Sequence, residues 1–231
     1  MKFSIIVFCF NEAESLPTVV KAVDNVMLAM HCEYEVIIVD DGSTDNTIEI
    51  AKKIQNSSSN VRVIRHSVNK GIGQSLKTGY LECNFEYVCA IPGDGQFDVN
   101  ELKIVTPFGI DTFYSFYRPQ TNYSAYRAFL SWSNRIFNQH ILGIYLRDVN
   151  WVKVYRKDHI IMTFPELNSS LIESEICAKL YKCNILPIEI PSKYLTREYG
   201  ISRGGSWKTL KKAIGELFPL WWCIAKFKHP H

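Results

Sequence analysis

Apolar and polar positions along this chain alternate between two rhythms. Apolar-rich segments at Phe3–Phe10, Glu35–Asp40, Val61–Arg65 and Phe85–Ile91 read as strands, and each closes on polar or turn-forming residues. Between them, apolar positions recur three and four residues apart. Leu16, Val19, Val20, Val23, Val26, Met27 and Met30 mark a helix from about Ala13 to His31. Thr44–Gln55 and Gly71–Glu82 read as two more helices, with Ser43 or Thr44 as the expected N-cap of the first. Continuous apolar strands suit a parallel sheet covered on both faces. Their alternation with helices predicts a doubly wound α/β fold.

The second half is less regular. Thr112–Tyr117, Asn150–Tyr155 and Ile185–Ile190 read as strands, and Ser124–Leu142, Leu171–Tyr181 and Trp207–Phe227 as helices. Pro219 is expected to kink the last of these. Tyr194–Gly205 is a polar, basic loop. No repeat or linker-like stretch interrupts the chain. The expected organisation is therefore one domain over 1–231, in three parts: a donor-side half (1–110), an acceptor-side half (111–205) and a C-terminal amphipathic helix (206–231).

Composition narrows the class. With 231 residues and 47% apolar content, a large core is within reach. A formal charge of +3 is too small for a nucleic-acid binder. The seven cysteines form no C-x-x-C pair and several lie inside apolar runs, which argues against zinc and disulfides and fits a reducing, cytosolic compartment. The apolar N-terminus runs into Asn11-Glu12 rather than a small-residue cleavage site, so it reads as a strand. No apolar run reaches the eighteen residues needed to span a membrane. From Lys193 onward, however, eight Lys/Arg face only Glu198 and Glu216. In the last helix, lysines run beside Trp207, Phe218, Trp221 and Trp222, as they do in helices lying on a membrane surface.

The chemistry gathers at strand ends. Phe10-Asn11-Glu12 follows the first strand, Asp40-Asp41-Gly42-Ser43-Thr44-Asp45 the second, and Pro92-Gly93-Asp94-Gly95-Gln96 the fourth. In an open parallel sheet these ends share one edge, where ligands bind. Carboxylates there can accept bonds from ribose and base, or hold a hard divalent cation against a diphosphate. There is no Walker-type phosphate loop, and Lys70-Gly71-Ile72-Gly73 is read as a helix start that packs closely. Asp98 reads as the N-cap of Val99–Val105.

The segments VFCFNEAESLP, VIIVDDGSTDNT, NKGIGQSLKTGY, AIPGDGQFD, DVNWVKVYRKD and PIEIPSKYLTREYGISRGGSW stand in the order of glycosyltransferase family 2. The chain resembles its dolichyl- or polyprenyl-phosphate sugar synthase branch over roughly residues 3 to 215. The resemblance implies a GT-A fold, Rossmann-like, with a mostly parallel central sheet and helices on both faces. It also implies a nucleotide-sugar donor, Mg²⁺ or Mn²⁺, and inversion at the anomeric carbon.

By the same resemblance, Phe10, Glu12, Asp40, Asp41, Gly93, Asp94, Arg118, Arg197 and Arg203 bind the nucleotide sugar. Asp94 and Gln96 hold the metal, and Arg127 and Ser131 hold an acceptor phosphate. Asp94, Glu175 and Arg197 are the expected catalytic residues, with Glu175 as the base that a hydroxyl acceptor requires; Glu173 is read as a solvated charge. Pro92 departs from the family's D-x-D, leaving one carboxylate where two are usual. The expected reaction moves a sugar from a UDP- or GDP-sugar to polyprenyl phosphate at the cytosolic face of a membrane. The alternatives are a saccharide acceptor in polysaccharide or glycan assembly, and a nucleotide-binding subunit without catalysis.

Overall fold

The computed structural model describes residues 1–119, 135–197 and 215–228. Seven strands form one sheet: β1 Lys2–Cys9, β2 Glu33–Asp40, β3 Val61–Arg65, β4 Tyr87–Pro92, β5 Thr112–Tyr117, β6 Lys153–Arg156 and β7 Leu186–Pro191. Their order across the sheet is β3-β2-β1-β4-β6-β5-β7. β1 pairs in parallel with β2 and β4, β2 with β3, and β5 with β7; β6 runs antiparallel between β4 and β5. Six strands thus share a direction, and the carboxyl ends of β1, β2 and β4 meet on one edge.

Helices α1 (Leu16–Ala29), α2 (Thr47–Ser57), α3 (Ile72–Leu81), α4 (Lys157–Met162), α5 (Ile172–Lys182) and α6 (Leu217–Lys226) cover the sheet. Side chains alternate along each strand, so successive apolar residues enter opposite layers. Ile5, Val7, Val36 and Ile38 pack with Val19, Val20, Val23 and Met27 of α1 on one side. Ile6, Ile37, Val39 and Val88 pack with Leu76 and Tyr80 of α3 and with α5 on the other. Each such side chain contributes about 1.5–3 kcal/mol by leaving water, which is why β1, β2 and β4 read as nearly unbroken apolar runs.

Two glycines set close approaches. A Cβ on Gly73 would lie 2.1 Å from the Ser169 carbonyl oxygen, so α3 starts hard against that loop. Gly42 has φ +71°, and a Cβ there would meet the backbone of Val68 and Asn69.

Several expectations shift. α2 begins after Asn46, which makes no side-chain capping bond, because the Ser43 and Thr44 hydroxyls are engaged elsewhere. Asp98 does cap a turn, accepting from Asn100 N at 3.0 Å, but the segment it opens is a 3-10 helix, Val99–Ile104. Pro219 lies in the first turn of α6, where its missing N–H is no loss; Gly215 is helical, the helix is interrupted at Glu216, and the start of the expected Trp207–Phe227 helix lies outside the described residues. The expected helix over Ser124–Leu142 lies mostly outside the described residues, of which 135–140 are helical. All seven cysteines are buried free thiols.

Candidate active site

The loop after β1 is built by the polar residues that follow β2. Asn11 adopts φ 58°, its N–H donates to Ser43 Oγ (2.9 Å), and its Oδ1 accepts from Thr44 N (2.8 Å). Glu12 N donates to Thr47 Oγ (2.9 Å), and Thr47 N donates to Asp45 (3.0 Å). The hydroxyls and carboxylate of Ser43-Thr44-Asp45 therefore clamp the backbone that carries Glu12. From β4, Gly93 N donates to Phe8 O (2.9 Å), while its carbonyl accepts from Ser15 Oγ (2.7 Å) at the start of α1. Ser15 Oγ also reaches Glu12 Oε2 at 3.2 Å.

A third segment arrives from beyond β7. Leu195 N donates to Gln96 O, Phe97 bridges to Tyr194, and Gln96 Nε2 donates to the Tyr194 hydroxyl at 2.6 Å. This lays residues 194–197 along the end of β4. Arg197 consequently inserts between two carboxylates. Its Nη2 bonds Glu12 Oε1 and its Nη1 lies 3.8 Å from Asp94 Oδ2, while Asp94 Oδ1 accepts from Gln96 N at 3.0 Å. The three side chains are only 10–16% exposed. Burial pushes the Glu12 carboxyl above its ordinary value, with Arg197 pulling against it. Burial likewise raises Asp94, opposed by the Gln96 amide and Arg197. Glu12 lines an open cleft of about 460 Å³ with Asp45, Asn46 and Ile50, and Tyr194 lines another of about 460 Å³ with Pro119 and Lys193. The Glu12–Arg197–Asp94–Gln96–Tyr194 chain joins the two.

Other expected residues are placed differently. Asp41 is buried and accepts from Lys70 N (2.9 Å), Gly71 N (2.7 Å) and His66 Nδ1 (2.7 Å), so it holds the loop before α3. Asp40 is fully buried, accepts from Ser43 N (3.1 Å) and lies 3.5 Å from Arg65 Nε. Phe10 is half-buried at the mouth of the edge. Arg118 pairs with Asp148 (2.7 and 3.1 Å) and stacks 4.4 Å from the Trp151 ring centroid and 5.5 Å from that of Tyr194, beside Gln96. Arg127, Ser131 and Arg203 lie outside the described residues.

Glu175 does not join this cluster. It is fully buried on α5 and accepts from Glu166 N (2.8 Å), Leu167 N (3.0 Å) and Lys179 Nζ (2.6 Å). Held in this way, Glu175 and its partner Lys179 pin the 164–167 loop. Glu173 is not a solvated charge either: it accepts from Tyr80 and Tyr155 (2.6 and 2.7 Å) and lies 3.5 Å from the buried Lys153. Sequence reasoning missed Ser15, His66, Trp151 and Tyr194. Only Tyr194, at the head of a basic loop, carried a usable signal.

Oxygen donors from Asp94, Gln96 and Glu12 are the set a hard divalent cation takes, and the Arg197 guanidinium already stands as a cation among them. The residues fit the ion. The other cluster of ligand-type groups among the described residues, Glu166, Glu175 and Cys223, is filled by the Lys179 ammonium.

An α/β sheet with a charged, partly desolvated carboxyl edge defines a ligand-binding class. A family model for glycosyl transferase family 2 matches residues 4–157, and the chain belongs to that family. It is 34% identical over 104 residues to a cholesterol galactosyltransferase of Borreliella burgdorferi, covering 45% of this chain and 28% of that one. It is 27% identical over 160 residues to an undecaprenyl-phosphate 4-deoxy-4-formamido-L-arabinose transferase of Pseudomonas fluorescens, covering 67% and 46%. The chain thus spans less than half the length of either relative. Among solved structures, it superimposes with TM-score 0.66 and 14% identity on glucosyl-3-phosphoglycerate synthase of Mycobacterium tuberculosis in complex with Mn²⁺, UDP-glucose and phosphoglyceric acid, covering 98% of this chain and 80% of that one. That likeness shows a shared fold.

Proposed function

We propose that this chain is an inverting glycosyltransferase that moves a sugar from a UDP- or GDP-sugar to polyprenyl phosphate. The observation that carries the reading is Arg197 seated between Glu12 and Asp94 at the carboxyl edge of the sheet. Transfer breaks the bond between the anomeric carbon and the diphosphate, and the bonding electrons leave with the diphosphate. Arg197, with Arg203 six residues further along the chain, neutralises that charge as it develops; one preorganised donor of this kind is worth about 3–4 kcal/mol. A bound Mg²⁺ or Mn²⁺, held by Asp94 and Gln96, supplies further neutralisation of the diphosphate. Asp40, Asp41 and Phe10 shape the nucleoside side.

Glu175 bears on the acceptor. A hydroxyl acceptor needs a general base, and the base that the sequence nominated is locked inside the fold. A phosphate monoester is already ionised and attacks without one. Arg127 and Ser131 are the groups assigned to hold it, and Arg118 orders the ground beside Gln96 through Trp151 and Tyr194. The relative named for undecaprenyl phosphate supports this acceptor class, and relatives named as poly-beta-1,6-N-acetyl-D-glucosamine synthases support a saccharide acceptor as the second reading.

α6 supports a peripheral place at a membrane. Leu220, Cys223 and Ile224 pack inward, while Phe218, Trp221 and Trp222 are 70%, 45% and 48% exposed and Lys226 lies 4.5 Å from the Trp222 ring centroid. No helix among the described residues is long and apolar enough to cross a membrane.

The test is transfer of labelled sugar from UDP- and GDP-sugars to undecaprenyl phosphate in vesicles or to oligosaccharides. Label in the lipid extract is the expected result. Label in the saccharide alone favours the second acceptor. Tight nucleotide binding with no transfer to either overturns catalysis and favours a non-catalytic subunit.

A further inference from the structure

We propose that Glu12 replaces the metal-side carboxylate lost at Pro92, and that Arg197 fills that cation position until a nucleotide diphosphate draws it away. The inference rests on the donor-site reading above. Pro92 ends β4 and pairs with Phe8 of β1, and its side chain offers no polar atom to the edge. Glu12 comes from the end of β1, the adjacent parallel strand, and its carboxylate converges with that of Asp94 on a single guanidinium. The missing ligand is therefore supplied from the neighbouring strand rather than from the D-x-D turn. Gln96 completes the oxygen set: its amide nitrogen is committed to Tyr194, which leaves the amide oxygen as the ligating atom.

The planar guanidinium fork of Arg197 spans the two acids. It neutralises two poorly solvated carboxylates. A divalent ion and Arg197 cannot satisfy the same carboxylate oxygens together, so they compete. A diphosphate gives Arg197 an alternative bidentate partner. Nucleotide and metal should then bind cooperatively, with Arg197 as the coupling element. A coupling of about tenfold lies within the usual range for linked sites.

Mn²⁺ binding followed by electron paramagnetic resonance, without nucleotide, tests this independently of turnover. Wild type is expected to bind Mn²⁺ weakly, Arg197→Gln about tenfold more tightly, and Arg197→Gln with Glu12→Gln to lose that gain. Thermal unfolding verifies that each variant is folded. Should Arg197→Gln fail to fold, Arg197→Lys keeps a charge but cannot fork across both acids, and its Mn²⁺ affinity is expected to rise part-way. Equal Mn²⁺ affinity in wild type and the folded Arg197 variant, or a gain that survives Glu12→Gln, overturns the proposal. Adding UDP or GDP should tighten Mn²⁺ binding in wild type more than in Arg197→Gln; equal tightening in both overturns the coupling. If neither nucleotide binds at all, the donor reading fails, while the nucleotide-free comparison still decides whether Glu12 and Arg197 share a cation position.

Discussion

Glu175 accepts from two backbone amides and the Lys179 ammonium, so glutamine in its place leaves that buried ammonium with only the more distant, exposed Glu166 carboxylate at 3.7 Å. Breaking such a pair costs about 3–5 kcal/mol. Glu175→Gln should therefore lower the unfolding midpoint sharply, while kcat per folded molecule stays near wild type. A large loss of kcat in folded enzyme would restore the base role. Asp94→Asn should behave in the opposite way. It keeps the Gln96 contact and the fold, but turnover should fall about 100-fold or more, as when one preorganised electrostatic group is removed. Turnover within a few-fold of wild type would remove Asp94 from the chemistry.

Elements supply the rigidity these residues need. At the end of the sheet opposite the site, Glu35 accepts from Ser4 Oγ (2.6 Å), Asn84 N (2.7 Å), Asn84 Nδ2 (2.9 Å) and Arg62 Nη2 (3.0 Å), tying β1, β2 and β3 to the segment before β4. Burial alone would raise this carboxyl, but the Ser4, Asn84 and Arg62 bonds outweigh it and hold it below the ordinary glutamate value. A depressed carboxyl stabilises the fold above its unfolded-state value, and that stability is lost as pH falls through the folded one. Glu35→Gln should thus cost about 1–3 kcal/mol at neutral pH. Denaturant titration should show the deficit shrinking as pH drops below about 4.5; a deficit independent of pH would contradict the ionic account. On α6, Trp221→Ser with Trp222→Ser should reduce co-sedimentation with anionic vesicles several-fold without changing stability, because both rings face solvent. Unchanged sedimentation would remove the membrane role of this face.

Across the whole molecule, what could be read from the sequence follows from how local each signal is. β1, β2 and β4 were legible because burial on both faces makes them nearly unbroken apolar runs, and α1, α3 and α5 because their apolar stripes are long. The start of α2 was misread because Ser43 and Thr44 have the chemistry of caps, yet they serve a loop 32 and 33 residues away in sequence. Glu173 was misread for a related reason: a charged residue on a helix looks solvated until tertiary contacts bring Lys153 and two tyrosines to it. The convergence of Glu12 and Asp94 was visible as neighbouring strand ends. Arg197 was visible only as a loop cation, since its place depends on the Phe97–Tyr194 bridge.

The central claim is that this edge binds a nucleotide diphosphate together with a divalent ion. Thermal unfolding with UDP, GDP and their sugars, with and without Mn²⁺, tests it most directly. A ligand at 100 times its Kd adds about 2.7 kcal/mol to stability, or about 5–10 °C for a chain of this size. The account predicts such a shift for at least one nucleotide, dependent on Mn²⁺ and lost in Asp94→Asn; no shift with any of them, or a full shift in Asp94→Asn, would contradict it.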